Sequence, residues 1–143
     1  MAITVREITL WRREIENQPG MLASVLEPLA RSAADVKVLM AYRYPGDDTR
    51  GAVELYPISG KKAAAAAQAA GLAPADIPAL LVEGSNRAGL GFETSSAIAA
   101  AGINLAFLVA QVIGSKFAAV YGFGSEVDRR KALSLLKKAS KKR

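Results

Sequence analysis

Neither cysteine nor histidine occurs among the 143 residues of this chain. Without cysteine there can be no disulfide, no thiolate nucleophile and no thiolate metal ligand. Without imidazole, the common general base near neutral pH and the usual nitrogen ligand of a metal are both missing. Any catalysis would fall to Asp, Glu, Lys or Tyr. The expectation is therefore a binding protein with no catalytic residue, no metal site and no cofactor. Aromatics are also scarce, at 6%. Trp11, Tyr42, Tyr44 and Tyr121 lack the interleaved basic residues of an RNA-binding sheet and read as packing residues.

Long apolar runs are scarce too. Residues 97–114 carry no charge, but the stretch is rich in alanine and contains Gly102, Asn104 and Gln111. A spanning helix usually needs about 20 strongly apolar residues, so a helix end followed by a buried strand fits better, and no membrane is expected. Charges from Arg6 onward argue against a signal peptide, and the expectation is a cytoplasmic protein. Gly84 and Gly89 have the spacing of a phosphate loop, but Leu90-Gly91 stands where lysine and a hydroxyl residue would be needed.

What is present is an apolar content of 51% with 22% charged residues, enough for a real core. The net charge of +6 is local. Residues 128–143 hold eight of the 19 basic residues and a single acid, so the rest of the chain is close to neutral. The basic end, including Lys137, Lys138, Lys142 and Arg143, reads as a solvated helix end, not as a nucleic-acid site.

Period and punctuation place the elements. Ile3 to Ile15 reads as one irregular strand. Met21, Leu22, Val25, Leu26 and Leu29 mark a helix face, although Pro28 should disturb that helix. Val36 to Tyr42 and Ala52 to Ile58 read as a hairpin, and Lys61 to Ala70 as an alanine-rich helix ending at Gly71. The second half repeats this order. Asp76 to Glu83 is a strand, Leu90 to Ala101 a helix stopped by Gly102, and Leu105 to Ile113 and Phe117 to Phe123 a hairpin. Glu126 to Lys138 is the last helix.

A shift of 69 residues carries Asn17 onto Asn86, Gly20 onto Gly89, Ala30 onto Ala99 and Asp35 onto Asn104. Recurrence in register indicates two copies, residues 1–78 and 79–143, the second with the basic end. The predicted fold class is α+β. Each copy is expected to be a ferredoxin-like βαββαβ unit, an antiparallel sheet with its helices on one face. The fourth strand is the difficulty. The first copy has only residues 72–80, interrupted by Pro74 and Pro78, and the second has almost nothing left. A sheet shared between copies or between chains would resolve it.

Asn17-Gln18-Pro19-Gly20-Met21-Leu22 with Ala33-Ala34-Asp35-Val36, and Asn86-Arg87-Ala88-Gly89-Leu90 with Ala101-Gly102-Ile103-Asn104-Leu105, resemble the ACT family of regulatory domains. The chain looks most like stand-alone proteins built of two such domains. It departs from the pattern at Ala88, where proline is usual, and at Asp35, where asparagine is usual. The resemblance implies a non-enzymatic sensor of an amino acid or related small metabolite, binding at domain or subunit interfaces and regulating another protein.

Physical chemistry supplies reasons for such a site. A helix N-terminus offers unpaired N–H groups to a carboxylate. Gly20 and Gly89 let the ligand approach the backbone there. Asn17 or Asn86 can address either end of a zwitterion, and Asp35 or Asn104 would add an acceptor. The expected ligand residues are Asn17, Gly20, Met21, Leu22, Asp35, Asn86, Gly89, Leu90 and Asn104. A blander reading makes the asparagines helix caps and turn residues. Incomplete sheets with apolar strands also predict a homodimer. The alternative function is an interaction module, or the regulatory subunit of a biosynthetic enzyme, with degenerate ligand sites.

Overall fold

A computed structural model describes residues 3–141; Met1, Ala2, Lys142 and Arg143 lie outside the described residues. The elements run β1 Ile3–Ile8, β2 Trp11–Glu16, α1 Met21–Arg31, β3 Val38–Arg43, β4 Arg50–Tyr56, α2 Lys61–Ala69, β5 Ala73–Pro74, β6 Ala79–Ser85, α3 Leu90–Ala100, β7 Leu105–Ile113, β8 Lys116–Phe123 and α4 Glu126–Lys141. The fold is α+β, with two antiparallel four-stranded sheets and four helices. Among the described residues, no helix is long and apolar enough to cross a membrane.

The chain divides into two compact units, one contiguous (Thr9–Asp76) and one split, made of β1 and the residues from Ile77 onward. In the contiguous unit the strand order is β3-β4-β2-β5. Alternate residues on β2 and β4 (Trp11, Ile15, Val53 and Leu55) form one apolar face. Val25 and Leu29 of α1 and Ala67 of α2 pack on that face and are essentially buried. Each large apolar side chain buried this way contributes about 1.5–3 kcal/mol. The alanines of α2 leave little bulk between helix and sheet. α1 runs continuously through Pro28.

The split unit has the order β1-β6-β8-β7. Phe117, Ala119, Tyr121 and Phe123, every second residue of β8, join Leu80 and Val82 of β6 beneath Leu90, Ile98, Ala132 and Leu136 of α3 and α4. Tyr121 is completely buried. Burial pushes its phenol pKa up, so the hydroxyl stays a donor. It meets Thr94, whose own hydroxyl donates to the Leu90 carbonyl at 3.0 Å. This chain of hydroxyls satisfies the one polar atom that the tyrosine brings into the core.

The N-terminus departs from expectation. Ile3–Ile15 is not one strand but two, in different sheets. β1 pairs antiparallel with β6, from Ile3↔Gly84 to Ile8↔Ala79, while β2 pairs with β4, from Trp11↔Leu55 to Glu16↔Arg50. A division at residue 78 therefore leaves β1 on the wrong side. It supplies the fourth strand that residues 79–143 lack. The contiguous unit closes instead with β5, only two residues long, where Ala73 and Pro74 pair with Arg12 and Trp11. Pro74 has no N–H to continue a ladder, which keeps this edge short. α4 extends to Lys141, past the expected Lys138, and Ser140 fastens it to β1: its hydroxyl accepts from Ile3 N–H at 3.0 Å and donates to Ile3 C=O at 3.1 Å.

Candidate functional site

The two strand-to-helix turns are built alike. In each, asparagine leaves the strand and donates its backbone N–H across to the neighbouring hairpin: Asn17 to Thr49 O at 2.9 Å, and Asn86 to Ser115 O at 2.8 Å. A tight turn follows, with Met21 N to Gln18 O and Leu90 N to Arg87 O, both at 3.3 Å. Gly20 (φ 88°, ψ −10°) and Gly89 (φ 86°, ψ 1°) then occupy the left-handed region as N-caps. A side chain there would be strained, which is the reason for glycine at both positions. Neither helix has a side-chain cap. The blander alternative, in which the Asn17 and Asn86 side chains cap these helices, therefore does not hold.

The two asparagines differ in what their side chains do. Asn17 Nδ2 donates to Asp48 O at 2.7 Å, which ties the turn to the β3–β4 loop. Asn86 is exposed and is held through its backbone. Met21 and Leu22 are half-buried, with Leu22 packed on the contiguous core, whereas Leu90 is 3% exposed within the split core.

Asp35 and Asn104 lie elsewhere. Each follows the C-terminal end of an 11-residue helix whose N-terminus follows Asn17 or Asn86, a separation of about 16 Å along the axis. The structure therefore does not bring Asn17 to Asp35, or Asn86 to Asn104, within either unit. Both Asp35 and Asn104 are exposed. Asp35 accepts a hydrogen bond from Lys37 at 2.7 Å, which raises the lysine's pKa. With Ser32, Lys37, Gly60 and Lys61 it borders an open recess beside α2.

Two polar sites escape sequence reasoning. Glu54 sits mid-strand on β4 and is 1% exposed. Tyr42 OH donates to its Oε2 at 2.7 Å, while Oε1 has no hydrogen-bond partner among the described residues. Burial and this carboxylate push the Tyr42 phenol up to about 12. The alternation of Ala52, Val53, Glu54 and Leu55 places Glu54 away from the helices, but nothing in it signals burial. In the split unit, Arg87 pairs with Glu93 beside a cleft between α3 and α4. Here the sequence does carry a signal, an arginine inside the turn motif and an acid in the first helical turn.

No protein-family model matches the sequence. No curated protein matches it either. Solved structures do. A protein from Bacteroides thetaiotaomicron aligns over 94% of this chain and 90% of its own, with 16% identity and a TM-score of 0.78. The ligand-free regulatory subunit of aspartate kinase from Thermus thermophilus aligns over 97% of both chains, with 16% identity and a TM-score of 0.62. The corresponding subunit from Thermus flavus also aligns over 97% of both, at 18% identity and 0.58. At such identities the likeness is one of architecture, and the fold of this chain is ACT-like.

Proposed function

We propose that this chain is a non-enzymatic regulatory protein that binds an amino acid or a related small metabolite. The observation that carries the reading is the pair of matching turns, each ending in a left-handed glycine N-cap without a side-chain cap. A carboxylate is the natural complement of such a terminus. Asn17 and Asn86 would orient the ligand. Because Asp35 and Asn104 lie at the far ends of the helices, they would join a site only across a domain or subunit interface. Likeness in fold to regulatory subunits of aspartate kinase supports a regulated enzyme as partner.

Calorimetry with the twenty amino acids tests this on the wild type and on Asn17→Ala, Asp35→Ala, Asn86→Ala and Asn104→Ala. Loss of one charge-assisted hydrogen bond should weaken binding by about 1.5–3 kcal/mol. If the wild type binds one amino acid and no substitution weakens it, the site assignment is wrong.

A second reading, an interaction module without ligand, draws on β7. Leu108, Val109, Val112 and Ile113 of this edge strand are 40–69% exposed. Absence of binding by any amino acid at millimolar concentration would favour it.

A further inference from the structure

We propose that the split unit binds a small apolar monocarboxylate in the cleft between α3 and α4, with Arg87 as the carboxylate's anchor. The cleft has a volume of about 270 Å³. At about 30 Å³ per water it has room for a ligand of about ten non-hydrogen atoms, too little for a nucleotide. Its walls are mainly hydrocarbon: Ile3 from β1, Leu90 and Phe92 from α3, Leu136 and Ala139 from α4. Phe92 is 76% exposed beside it. An aromatic so exposed gains burial when hydrocarbon fills the neighbouring space.

The polar groups of the cleft are mostly committed. Ser140 is used by the backbone of Ile3, and Thr94 by Tyr121 and the Leu90 carbonyl. Ser96 lies at the exposed rim, and Arg87 is the group that keeps a buried donor to offer. One of its terminal nitrogens meets Glu93, while its Nε–H is buried with no acceptor among the described residues. Glu93 thus fixes one corner of the guanidinium plane and leaves the Nε edge unmatched. That edge is a geometry in which arginine takes a carboxylate with two parallel bonds. A buried donor without an acceptor is unfavourable, and a ligand oxygen relieves it.

An α-ammonium has no comparable place. The acid lining the cleft, Glu93, already faces Arg87. A simple acid should therefore bind better than the α-amino acid of the same skeleton. This separates the cleft from the amino-acid reading of the helix turns.

The test is calorimetry on the full chain with matched probes. These are 3-phenylpropanoate against phenylalanine, 4-methylpentanoate against leucine, and 3-phenylpropanamide as the uncharged control. The two acids should bind, with the amide and the amino acids at least about tenfold weaker. Arg87→Gln should weaken the acids by about ten- to a hundredfold. Ala139→Phe, at an exposed rim position, should close the cleft and abolish binding without disturbing the core. It decides the matter even if Arg87→Gln fails to fold. Asn17→Ala and Asn104→Ala should leave acid affinity unchanged. Amino-acid binding that those two weaken and Ala139→Phe spares belongs to the helix turns. The proposal is overturned if neither acid binds at millimolar concentration, if the amide binds as tightly, or if Ala139→Phe binds the acids undiminished.

Discussion

Removing one oxygen, Tyr42→Phe, isolates the hydrogen bond that the buried Glu54 receives from a partly exposed tyrosine. Tyr42 stands opposite Ala52 in the β3–β4 ladder, so Glu54, two residues along on the same face, is its diagonal neighbour. The phenol accounts for one carboxylate oxygen of a residue that is 1% exposed, and the other oxygen has no hydrogen-bond partner among the described residues. Without the hydroxyl, both oxygens are buried and unmatched. Hydrogen bonds to charged groups contribute about 1.5–3 kcal/mol. For a chain of this length that corresponds to a fall in Tm of about 5–10 °C. Glu54→Gln removes the buried charge while keeping an acceptor, so it should cost less. The double variant should cost less than the sum of the two, which marks direct coupling. The pH dependence has a definite sign. A phenol raised from 10 to about 12 in the folded state holds its proton more tightly there. Its stabilising effect is complete below pH 10 and is lost as pH rises through 12. Urea denaturation followed by circular dichroism, at pH 8 and in steps above 10, measures both effects against the wild type. Tyr42→Phe within about 0.5 kcal/mol of the wild type at pH 8, with an unchanged slope above pH 10, would refute the reasoning.

The repeat supplies an internal control at another position, because Ala33 (φ 58°) and Gly102 (φ 74°) occupy the same left-handed position after their helices. Ala33→Gly should stabilise and Gly102→Ala destabilise, each by about 0.5–1 kcal/mol in thermal unfolding. Gly122→Ala drives a methyl group into the ring of Phe107. It should cost about 1–3 kcal/mol and be partly rescued by Phe107→Leu, measured by denaturant midpoint. Deleting the chain from residue 137 removes Ser140 and its two bonds to Ile3, so it should lower Tm where deletion after residue 141 does not. If the proposed homodimer pairs through β7, Val109→Lys should yield monomer in sedimentation at micromolar concentration. Unchanged dimer would exclude that edge.

Elements set by local pattern were legible in the sequence. β7 spans Leu105–Ile113 as its apolar run predicts, although it is an exposed edge strand and not the buried one expected. Gly71 and Gly102 end helices because their left-handed backbones favour glycine. The matching turns were also legible, since Asn, Gly and their spacing encode local geometry. Partners distant in the chain were not. Nothing in Ile3–Ile8 says that its ladder partner is Ala79–Ser85. Its alternation merges with that of β2, and the break at Thr9-Leu10 carries no glycine or proline. Ala33 in the left-handed region is invisible too, because the bonds that close α1, Ala33 N–H to Ala30 O and Ala34 N–H to Leu29 O, hold it there against the preference of alanine. Glu54 is buried by tertiary neighbours, and strand alternation reports which face a residue is on but not how that face is covered.

The pairing of β1 with β6 orders events during synthesis. Residues 9–76 emerge as an unbroken stretch and contain every strand of their own sheet. They can complete folding while the rest of the chain is still being made. The six residues of β1 are made before that stretch, yet their partner β6 is not translated until about seventy residues later. α4, which packs against β1, comes later still, after α3 and the β7–β8 hairpin. Until then β1 is an unpaired strand open to wrong pairing. A chain cut near residue 100 should therefore carry one finished sheet, β3-β4-β2-β5, and one lacking both its hairpin and α4.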